Sequence, residues 1–493
     1  MAHDKNSQSA ATGGGYEWVA LSVTTVGAFL ASIQQTALII GLPDILVGLK
    51  AQFLTVIWVL LSYLLITTAT VPVIGRLADM WGRKNLYNAG FAIFTLGSLL
   101  AGLVRPQFHG WDLVIARLIQ GMGGALLFAN SAPIITDAFR HGRIGLGIGV
   151  NQIAFGAGFV LGPVVGGLLT ALSWRWIFLI NVPFGIAGTI WGMIRLREPE
   201  TLPGGQHFDL WGSITSMVGL AGLLLGLSLI AFPAGGPSFM PYLVMAFGVV
   251  MLVLFFFIEQ RVAQPMLDFS LFRHRLFALA NLAGGLNGLA RGAVLFLLTF
   301  FLQGPYGKDP FHAGIMLAPF GLSFLALGPI SGYLSDRRGS RGLATIGLLI
   351  SSVALLGLTT ITASTTYLVL ALWMVLMGIG SGLFGSPNTN AIMSSVVTER
   401  RGIAAATNIM LGNTGQMLSI SIAFPLVLSR IPQTVMYHVF LYGGGMANTP
   451  GVLKVFERGL HEAFLVSFVV TIAAAAASFF RPARPQGELA GGT

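Results

Sequence analysis

Fourteen apolar runs follow one another along the chain, and each is long enough to cross a lipid bilayer, which takes about 20 residues. They lie at roughly 18–42, 53–75, 86–104, 112–134, 144–171, 175–195, 210–231, 238–258, 276–303, 312–335, 342–363, 366–392, 402–430 and 459–480. Hydrocarbon offers backbone N–H and C=O groups no water, so such runs fold as helices. Hydrophobic residues make up 55% of the chain and charged residues 9%, far below the roughly one quarter of soluble proteins. The sequence therefore predicts an all-α membrane protein.

Basic residues are unevenly divided between the two sides of this predicted bundle. Of the 27 Lys and Arg residues, 18 fall on the side of the chain termini, seven on the opposite side, and Arg117 and Arg291 within apolar runs. An even number of spans puts both termini on one side, and the excess of Lys and Arg marks the cytoplasm. No signal-peptide pattern precedes the first run. We expect a multi-pass cell-membrane protein with both termini cytoplasmic and an uncleaved first helix.

Several functional classes are disfavoured by composition. The net charge of +10 comes from short basic clusters between apolar runs, which indicates membrane orientation rather than nucleic-acid binding. Cys is absent, which excludes disulfides and thiolate metal sites. No metal-ligand cluster, nucleophile constellation or phosphate-binding loop is visible, so we expect no enzyme, no metal and no cofactor.

An internal repeat divides the chain. GRLADMWGRK, from Gly75 to Lys84, aligns without gaps to GYLSDRRGSR, from Gly332 to Arg341. Each copy follows an apolar run on the terminal side, as in transporters built from two parallel repeats. Eight predicted helices separate the copies, so two helices have been added to an ancestral unit of six. The predicted organisation is a tail at 1–17, a six-helix half at 18–195, two inserted helices at 196–262, a second half at 263–480 with a long external segment at 431–456, and a tail at 481–493.

Polar side chains inside the apolar runs mark a candidate substrate cavity. A buried amide or charge without partners is costly in lipid, so these residues should face a polar cavity, a neighbouring helix or a ligand. The alternative for Arg117 is a structural role in bonding nearby carbonyls, and for Arg291 a role in bracing helix contacts. The predicted cavity residues are Gln34, Gln35, Arg117, Arg291, Asn408, Asn413 and Gln416.

The acidic residues avoid the centre of the membrane. All 17 Asp and Glu residues fall in loops or within about two turns of a predicted helix end. A cavity lined by amides, aromatic rings and two Arg residues suits neutral or anionic amphipaths better than dications. The best candidates for a peripheral proton site are Asp44, Asp137 and Glu462.

The motifs resemble the major facilitator superfamily, and in particular its fourteen-helix drug:proton antiporter branch. GRLADMWGRKN matches the signature of the loop between helices 2 and 3, ARLIQGMGGALLFANSAP at 116–133 matches the helix 4 signature, and GAGFVLGPVVGG at 156–167 matches the antiporter signature of helix 5. The resemblance covers residues 18–480. It implies a major facilitator fold with two six-helix halves plus two extra central helices, and a place for Arg117 near the proton pathway. The acid usual in the first helix is replaced by Gln34, and the usual Asn by Ile39.

Two motifs have a conformational interpretation. The first is a cytoplasmic latch in which Asp79 accepts hydrogen bonds from a helix N-terminus and pairs with nearby Arg side chains. Its alternative is a charge cluster that only fixes topology. The predicted latch residues are Gly75, Asp79, Gly82, Arg83, Lys84, Asp336 and Gly339. The second is a Pro kink with a smooth Gly face in helix 5, whose alternative is ordinary packing. Its residues are Gly158, Gly162, Pro163, Gly166 and Gly167.

Three functional hypotheses follow. The first is a secondary transporter that exports hydrophobic or amphipathic small molecules by alternating access, coupled to protons. The second is a lipid or glycolipid exporter or flippase with weak or peripheral proton coupling. The third is a non-transporting membrane receptor or scaffold, against which the duplicated latch argues. The expected partners are a small-molecule or lipid substrate, protons and membrane lipids, with no nucleic acid. We expect a monomer, although the sequence does not fix the oligomeric state.

Overall fold

The computed structural model describes residues 13–139, 144–198, 209–231, 237–262, 265, 267, 269–396, 400–428, 431 and 450–482. Within these residues all regular structure is helical and no strand occurs. Fourteen helices are long and apolar enough to cross a membrane. The predicted class and number of membrane helices are therefore confirmed.

The helices are numbered here by membrane span, and three of the fourteen consist of two segments each. In chain order they are α1 (Gly13–Gly48), α2 (Phe53–Trp81), α3 (Arg83–Leu103), α4 (Trp111–Ala138), α5 (Ile144–Leu172), α6 (Trp176–Leu179 and Asn181–Arg195), α7 (Leu210–Ala231), α8 (Met240–Glu259), α9 (Arg275–Arg291 and Val294–Gln303), α10 (Pro310–Met316 and Ala318–Arg338), α11 (Ser340–Leu358), α12 (Tyr367–Ser394), α13 (Arg401–Leu428) and α14 (Pro450–Phe479).

The repeated motif is a helix–glycine–helix junction and not the loop that its polar residues suggested. α2 continues to Trp81 and α3 starts at Arg83, so a single residue, Gly82 with φ of 91°, turns the chain. Gly339, with φ of 84°, does the same between α10 and α11. Only glycine adopts such positive φ values without strain. The short polar stretch carries charge but no helix breaker before the glycine, which is why an apolar-run criterion ended α2 too early.

The external segment predicted at 431–456 also needs correction. α14 begins at Pro450, so the last part of that segment is helical, while residues 432–449 lie outside the described residues. Lys454 and Arg458 are on the solvated side of this first part of α14, while Phe456 and Leu460 are fully buried. This amphipathic stretch is too charged to be recognised as an apolar run.

Helix contacts recur at an offset of eight helices. α1 packs along α5, α3 along α4, and α2 along α4; the corresponding pairs α9 with α13, α11 with α12, and α10 with α12 are also packed together. α7 and α8 pair with each other, and α7 rests on α2 and α13. This pattern is the one expected from a duplicated six-helix unit with two helices inserted. The predicted boundaries at 195, 262 and 480 stay predictions.

The glycines of α5 allow very close helix approach on two sides. A Cβ added at Gly162 would lie 1.8 Å from Thr36 Oγ1, and one at Gly166 would lie 2.4 Å from the carbonyl oxygen of Ala37, so this face lies directly on α1. On the other side, a Cβ at Gly167 would lie 2.4 Å from the carbonyl oxygen of Pro310 in α10. The helix 5 motif thus serves two contacts, one with each half of the bundle.

Substituting Gly166 should therefore destabilise the protein by overpacking. Gly166→Ala places a methyl group against the backbone of Ala37, which cannot rotate away, and we expect a loss of about 1–3 kcal/mol of stability. The matched control is Gly156→Ala on the same helix, where the nearest atom to the new Cβ lies at an ordinary 3.4 Å. Thermal unfolding followed by Trp fluorescence compares the two. Equal melting temperatures would contradict the close α1–α5 contact.

Candidate functional site

The bundle is closed at one end. We call the end where α1 begins and α14 ends the terminal end, and the opposite end the distal end. One buried apolar cluster at the distal end joins helices from both parts of the repeat, among them α1, α2, α9, α13 and α14. Leu46 and Leu60 from the first part and Phe300 and Phe424 from the second belong to it, each at most 5% exposed. Such a cluster excludes water and ligands from the distal side.

Contacts between the two parts of the repeat lie in the distal portions of α5 and α10. A Cβ at Gly314 would come within 2.3 Å of the carbonyl oxygen of Pro163, and a Cβ at Gly321 within 2.7 Å of the Val160 side chain. A hydrogen bond is added nearby, from Gln303 Nε2 at the end of α9 to the carbonyl oxygen of Ile40 in α1, at 2.9 Å. These contacts hold the distal ends together.

α5 and α10 separate toward the terminal end. The close contact between α5 and α10 ends near Gly156 of α5, where an added Cβ would just touch Leu325 of α10 at 3.4 Å. One turn further, Ile153 on α5 is 49% exposed, and an added Cβ at Gly328 on α10 would have nothing within 4 Å. The molecule is therefore closed at the distal end and open between these helices at the terminal end.

Arg117 lies in a polar network between three helices of the first half. It is 2% exposed, donates from Nε to the carbonyl oxygen of Val59 at 3.1 Å and from Nη1 to Gln120 Oε1 at 2.6 Å. Gln120 in turn donates from Nε2 to Ser98 Oγ at 2.7 Å. The guanidinium carbon lies 4.3 Å from the centre of the Tyr63 ring, a cation–π distance. The network includes the hydrogen bond to a backbone carbonyl that is expected for a structural Arg, and it joins α2, α3 and α4.

Gln35 approaches the same network from α1. Its side chain lies near the Tyr63 hydroxyl, but no hydrogen bond joins the two, and that hydroxyl has no partner among the described residues. Gln35 is half-buried, whereas Tyr63 is fully buried. Among the described residues no carboxylate pairs with Arg117. The group of Gln35, Tyr63 and Arg117 is thus polar and positively charged, with spare hydrogen-bonding capacity at the tyrosine.

Gln34 points in a different direction. Its Oε1 accepts a hydrogen bond of 2.6 Å from Asn181 Nδ2 in α6, and its Nε2 has no partner in the described part of the chain. At 1% exposure it is enclosed between α1 and α6. The neighbouring helix, and not the group around Arg117, is therefore the described environment of this amide. Gln35, and not Gln34, is therefore the glutamine of α1 that lies near Tyr63 and Arg117.

The second half has a break in α9 next to Arg291. The first segment of α9 ends at Arg291, and Gly292 packs so tightly on α13 that an added Cβ would lie 2.6 Å from the Cα of Gln416. Ser419 Oγ accepts the backbone N–H of Ala293 at 3.0 Å, which satisfies a donor freed by the break. The half-buried Arg291 has its guanidinium carbon 5.8 Å from the Phe324 ring centre. Discontinuous helices of this kind commonly form ligand sites in membrane transporters.

The amides predicted on α13 are distributed along its contact with α9. Gln416 adjoins the break, and Asn408 lies lower on the helix, with Oδ1 3.3 Å from a Cβ added at Gly284 of α9. Asn413 is half-buried on the same helix. The structure thus brings Gln416 next to the break beside Arg291, while Asn408 lies against the middle of the first segment of α9.

The three candidate proton sites lie far apart in the fold. Asp137, at the terminal end of α4, forms an ion pair with Arg83, with 2.6 Å between Asp137 Oδ2 and Arg83 Nη1. Glu462, near the distal end of α14, pairs with Arg458 at 3.2 Å. Asp44 is half-buried in α1 toward the distal end and forms no ion pair with another described residue. Within the described residues no group of three potential metal ligands occurs.

The terminal-end junction is organised by an acid that the sequence did not single out. Glu198, three residues after α6, accepts the backbone N–H of Lys84 at 3.2 Å through Oε2, and its carboxylate lies against Gly82. A carboxylate is favourable at a helix N-terminus, here that of α3. Arg83 and Asp137 stand beside it. Gly75, Asp79 and Asp336 lie in helices, but their side-chain surroundings fall outside the described residues. So do Arg140 and Arg143, which the sequence offers beside Arg83 as partners of Asp79.

The hydrogen bond of Gln303 to α1 should bias the molecule toward the distal-closed state. Gln303→Leu removes the donor at nearly constant volume, and we expect a shift of about 0.5–1.5 kcal/mol toward separated distal ends. Because the chain has no Cys, spin labels can be placed at Lys50→Cys and Lys308→Cys, two exposed distal positions in different halves. Distance distributions between the labels measure the shift. Gln260→Leu, at an exposed amide after α8, is the control, and an equal effect there would contradict the prediction.

Comparison with known proteins identifies the family. The profile described as Major Facilitator Superfamily matches residues 24–423 and 284–491. A riboflavin transporter of Clostridioides difficile is 30% identical over 390 residues, which are 78% of this chain and 83% of the relative. A multidrug transporter of Bacillus subtilis is 29% identical over 82% of this chain and 74% of its own length. A bacterial homologue of the human lysosomal transporter Spinster, solved in an inward-facing and unoccupied conformation, superimposes with a TM-score of 0.67 at 16% identity, covering 95% of this chain and 97% of that one.

Proposed function

The chain belongs to the Major Facilitator Superfamily of membrane transporters, and from this premise we propose that it exports hydrophobic or amphipathic small molecules by alternating access. The observation that carries the proposal is the asymmetry of the bundle. The two halves are joined by apolar contacts and a hydrogen bond at the distal end, and α5 and α10 diverge at the terminal end. A transporter that opens to one side at a time has this form in one of its two states.

Export is the direction that follows from the orientation we propose. The excess of Lys and Arg at the terminal end indicates that this end faces the cytoplasm. The open space between α5 and α10 then receives substrate from the cytoplasmic side, and opening of the distal end releases it outside. The activities in the names of the two relatives, riboflavin transport and multidrug transport, concern small organic molecules, as the proposal does.

The charges at membrane depth favour neutral or anionic substrates. Arg117, which is buried, and Arg291, which is half-buried, are cations within the described membrane helices, and Tyr63, Gln35 and Gln416 lie near them. In a poorly screened cavity such cations repel a lipophilic cation and attract an anion. We propose that Arg291, at the break of α9, contacts the anionic or polar part of the substrate. Arg117, in contrast, stabilises the packing of α2, α3 and α4 in the first half.

Proton coupling is proposed to use Asp44. Asp137 and Glu462 are each engaged in an ion pair with an Arg, whereas Asp44 has none within the described part of the chain. It lies in α1 one turn beyond Ile40, whose carbonyl oxygen receives the distal hydrogen bond of Gln303. Protonation of an acid at this place is expected to accompany opening and closing of the distal end.

Lipid export is a second candidate that one observation favours. Leu322 and Ile330 of α10, 59% and 56% exposed, are apolar side chains on the surface of a helix that borders the open space, and Ile153 of α5, 49% exposed, lies one heptad from Val160, which contacts α10. An acyl chain could remain in the bilayer while its headgroup occupies the cavity. Transport assays with a fluorescent phospholipid and with a soluble fluorescent anion separate the two candidates.

Arg291 should be needed for anionic substrates in particular. Arg291→Gln keeps a hydrogen-bonding side chain but removes the charge, and a lost charged hydrogen bond of about 1.5–3 kcal/mol corresponds to a tenfold or greater fall in uptake of a fluorescent anion. Uptake of a neutral probe of similar size should fall much less. The measurement is flux into proteoliposomes, and Arg195→Gln, at the exposed end of α6, is the matched control. Equal losses for anion and neutral probe would show that Arg291 supports the fold and does not recognise charge.

Asp44 should be needed for the proton gradient to drive transport. In proteoliposomes with an imposed pH gradient, Asp44→Asn should abolish gradient-driven accumulation of the probe, because the amide cannot exchange a proton. Probe exchange without a gradient should persist. Glu462→Gln is the comparison, and loss of coupling in that variant alone would place the proton site on α14. Absence of substrate-dependent proton flux in the native protein would overturn the proposed coupling altogether.

A further inference from the structure

A fully buried arginine lies where α14 ends. Arg481 is 0% exposed, donates from Nη1 to Asn388 Oδ1 in α12 at 3.0 Å, and from Nη2 to the carbonyl oxygen of Ser340 at the start of α11. Its Nε has no acceptor among the residues that the structure describes. This guanidinium therefore sits at the terminal end of the second half with two neutral partners and one donor to spare.

The charge of Arg481 is not neutralised by any described carboxylate. The charged group that acts on it is Arg341, whose guanidinium stacks over the Phe479 ring at 4.9 Å. Burial, together with the repulsion from Arg341, lowers the pKa of Arg481 to about 10, which still leaves it charged at neutral pH. Buried charges are normally paired, so a second cation in place of an anion calls for a ligand that supplies the negative charge.

The equivalent corner of the first half contains a carboxylate where the second half has Arg481. There the segment after α6 brings the Glu198 carboxylate to the N-terminus of α3, next to Gly82. In the second half the segment after α14 brings Arg481 to the first residue of α11, Ser340, and among the described residues no side chain accepts an N–H group of the first turn of α11. Free N–H groups at a helix N-terminus attract anions. The first corner contains its own anion, and the second offers two guanidinium groups and a helix N-terminus.

We propose that this corner, formed by Ser340, Arg341, Asn388 and Arg481, binds the phosphate of an anionic phospholipid headgroup. The position at the end of two membrane-spanning helices places the corner near the headgroup layer. Phe479 and Phe480 beside it are 52% and 65% exposed, which provides an apolar surface for the acyl chains that a free phosphate does not have. Arginine is well suited to phosphate, because its planar fork donates two parallel hydrogen bonds.

The test compares lipid stabilisation between two arginine variants. The full chain is purified in phosphatidylcholine nanodiscs with and without phosphatidylglycerol, and melting is followed by Trp fluorescence. Arg341→Gln should lose at least half of the stabilisation that phosphatidylglycerol gives the native protein. The control is Arg337→Gln, an exposed Arg on the same end with the same change of charge, which should keep it. Arg481→Lys, which keeps the charge and loses the fork, should behave like Arg341→Gln if it folds, and the Arg341 comparison decides if it does not.

Inorganic phosphate provides the second arm. Stabilisation by phosphatidylglycerol but not by inorganic phosphate in phosphatidylcholine nanodiscs supports a lipid headgroup as the ligand. Equal stabilisation by both would overturn the lipid assignment in favour of a small-anion site. Equal lipid effects on the native protein and on both Gln variants would overturn the site, and Arg481 would be a structural clamp between α11, α12 and α14. None of these readouts depends on transport.

Discussion

Inside a bilayer every backbone N–H and C=O group must find a partner within the protein, and where a helix departs from regularity the partner comes from its own turns or from a neighbour. The break of α9 after Arg291 is the clearest case, because the hydroxyl of Ser419 accepts the N–H of Ala293. The tight contact of Gly292 with Gln416 brings α13 close enough for that bond. Irregular backbone, a buried cation and an amide are thus collected at one place in the second half, where a ligand can also compete for them.

The same lack of water explains how the two halves treat their buried cations differently. Arg117 is enclosed by a carbonyl, an amide and an aromatic ring, so its charge is spread over a network that also fixes three helices together. Arg291 lies beside a helix break and is only half-buried. Arg481 is enclosed near the headgroup layer with another cation. We propose a structural role for Arg117 and ligand binding for Arg291 and Arg481, and exposure alone does not separate these roles, because Arg117 and Arg481 are both buried.

The sequence predicted the helix number and class because bilayer thickness constrains apolar length directly. It also predicted the repeated junction, although as a loop. It could not predict which side of a helix faces which neighbour: Gln34 and Gln35 are adjacent and equally polar, yet Gln34 meets Asn181, 147 positions away, and Gln35 meets Tyr63. Glu198 and Gln303 were missed for the same reason, since their partners Lys84 and Ile40 are brought close only by the tertiary fold. The expected cytoplasmic orientation and the domain boundaries stay predictions.

The two faces of α5 indicate where the molecule can move. Toward α1, the space at Gly162 and Gly166 is filled by Thr36 and by the backbone of Ala37, so α5 and α1 can slide only by unpacking atoms that cannot rotate away. Toward α10, the contacts of Gly314 and Gly321 with α5 end halfway along the helices, and the rest of that seam is already open. The rocking motion that we propose therefore keeps α1 and α5 together as one body and rolls α5 on α10. Opening the distal end then requires Gln303 to release Ile40 while the terminal halves of α5 and α10 come together.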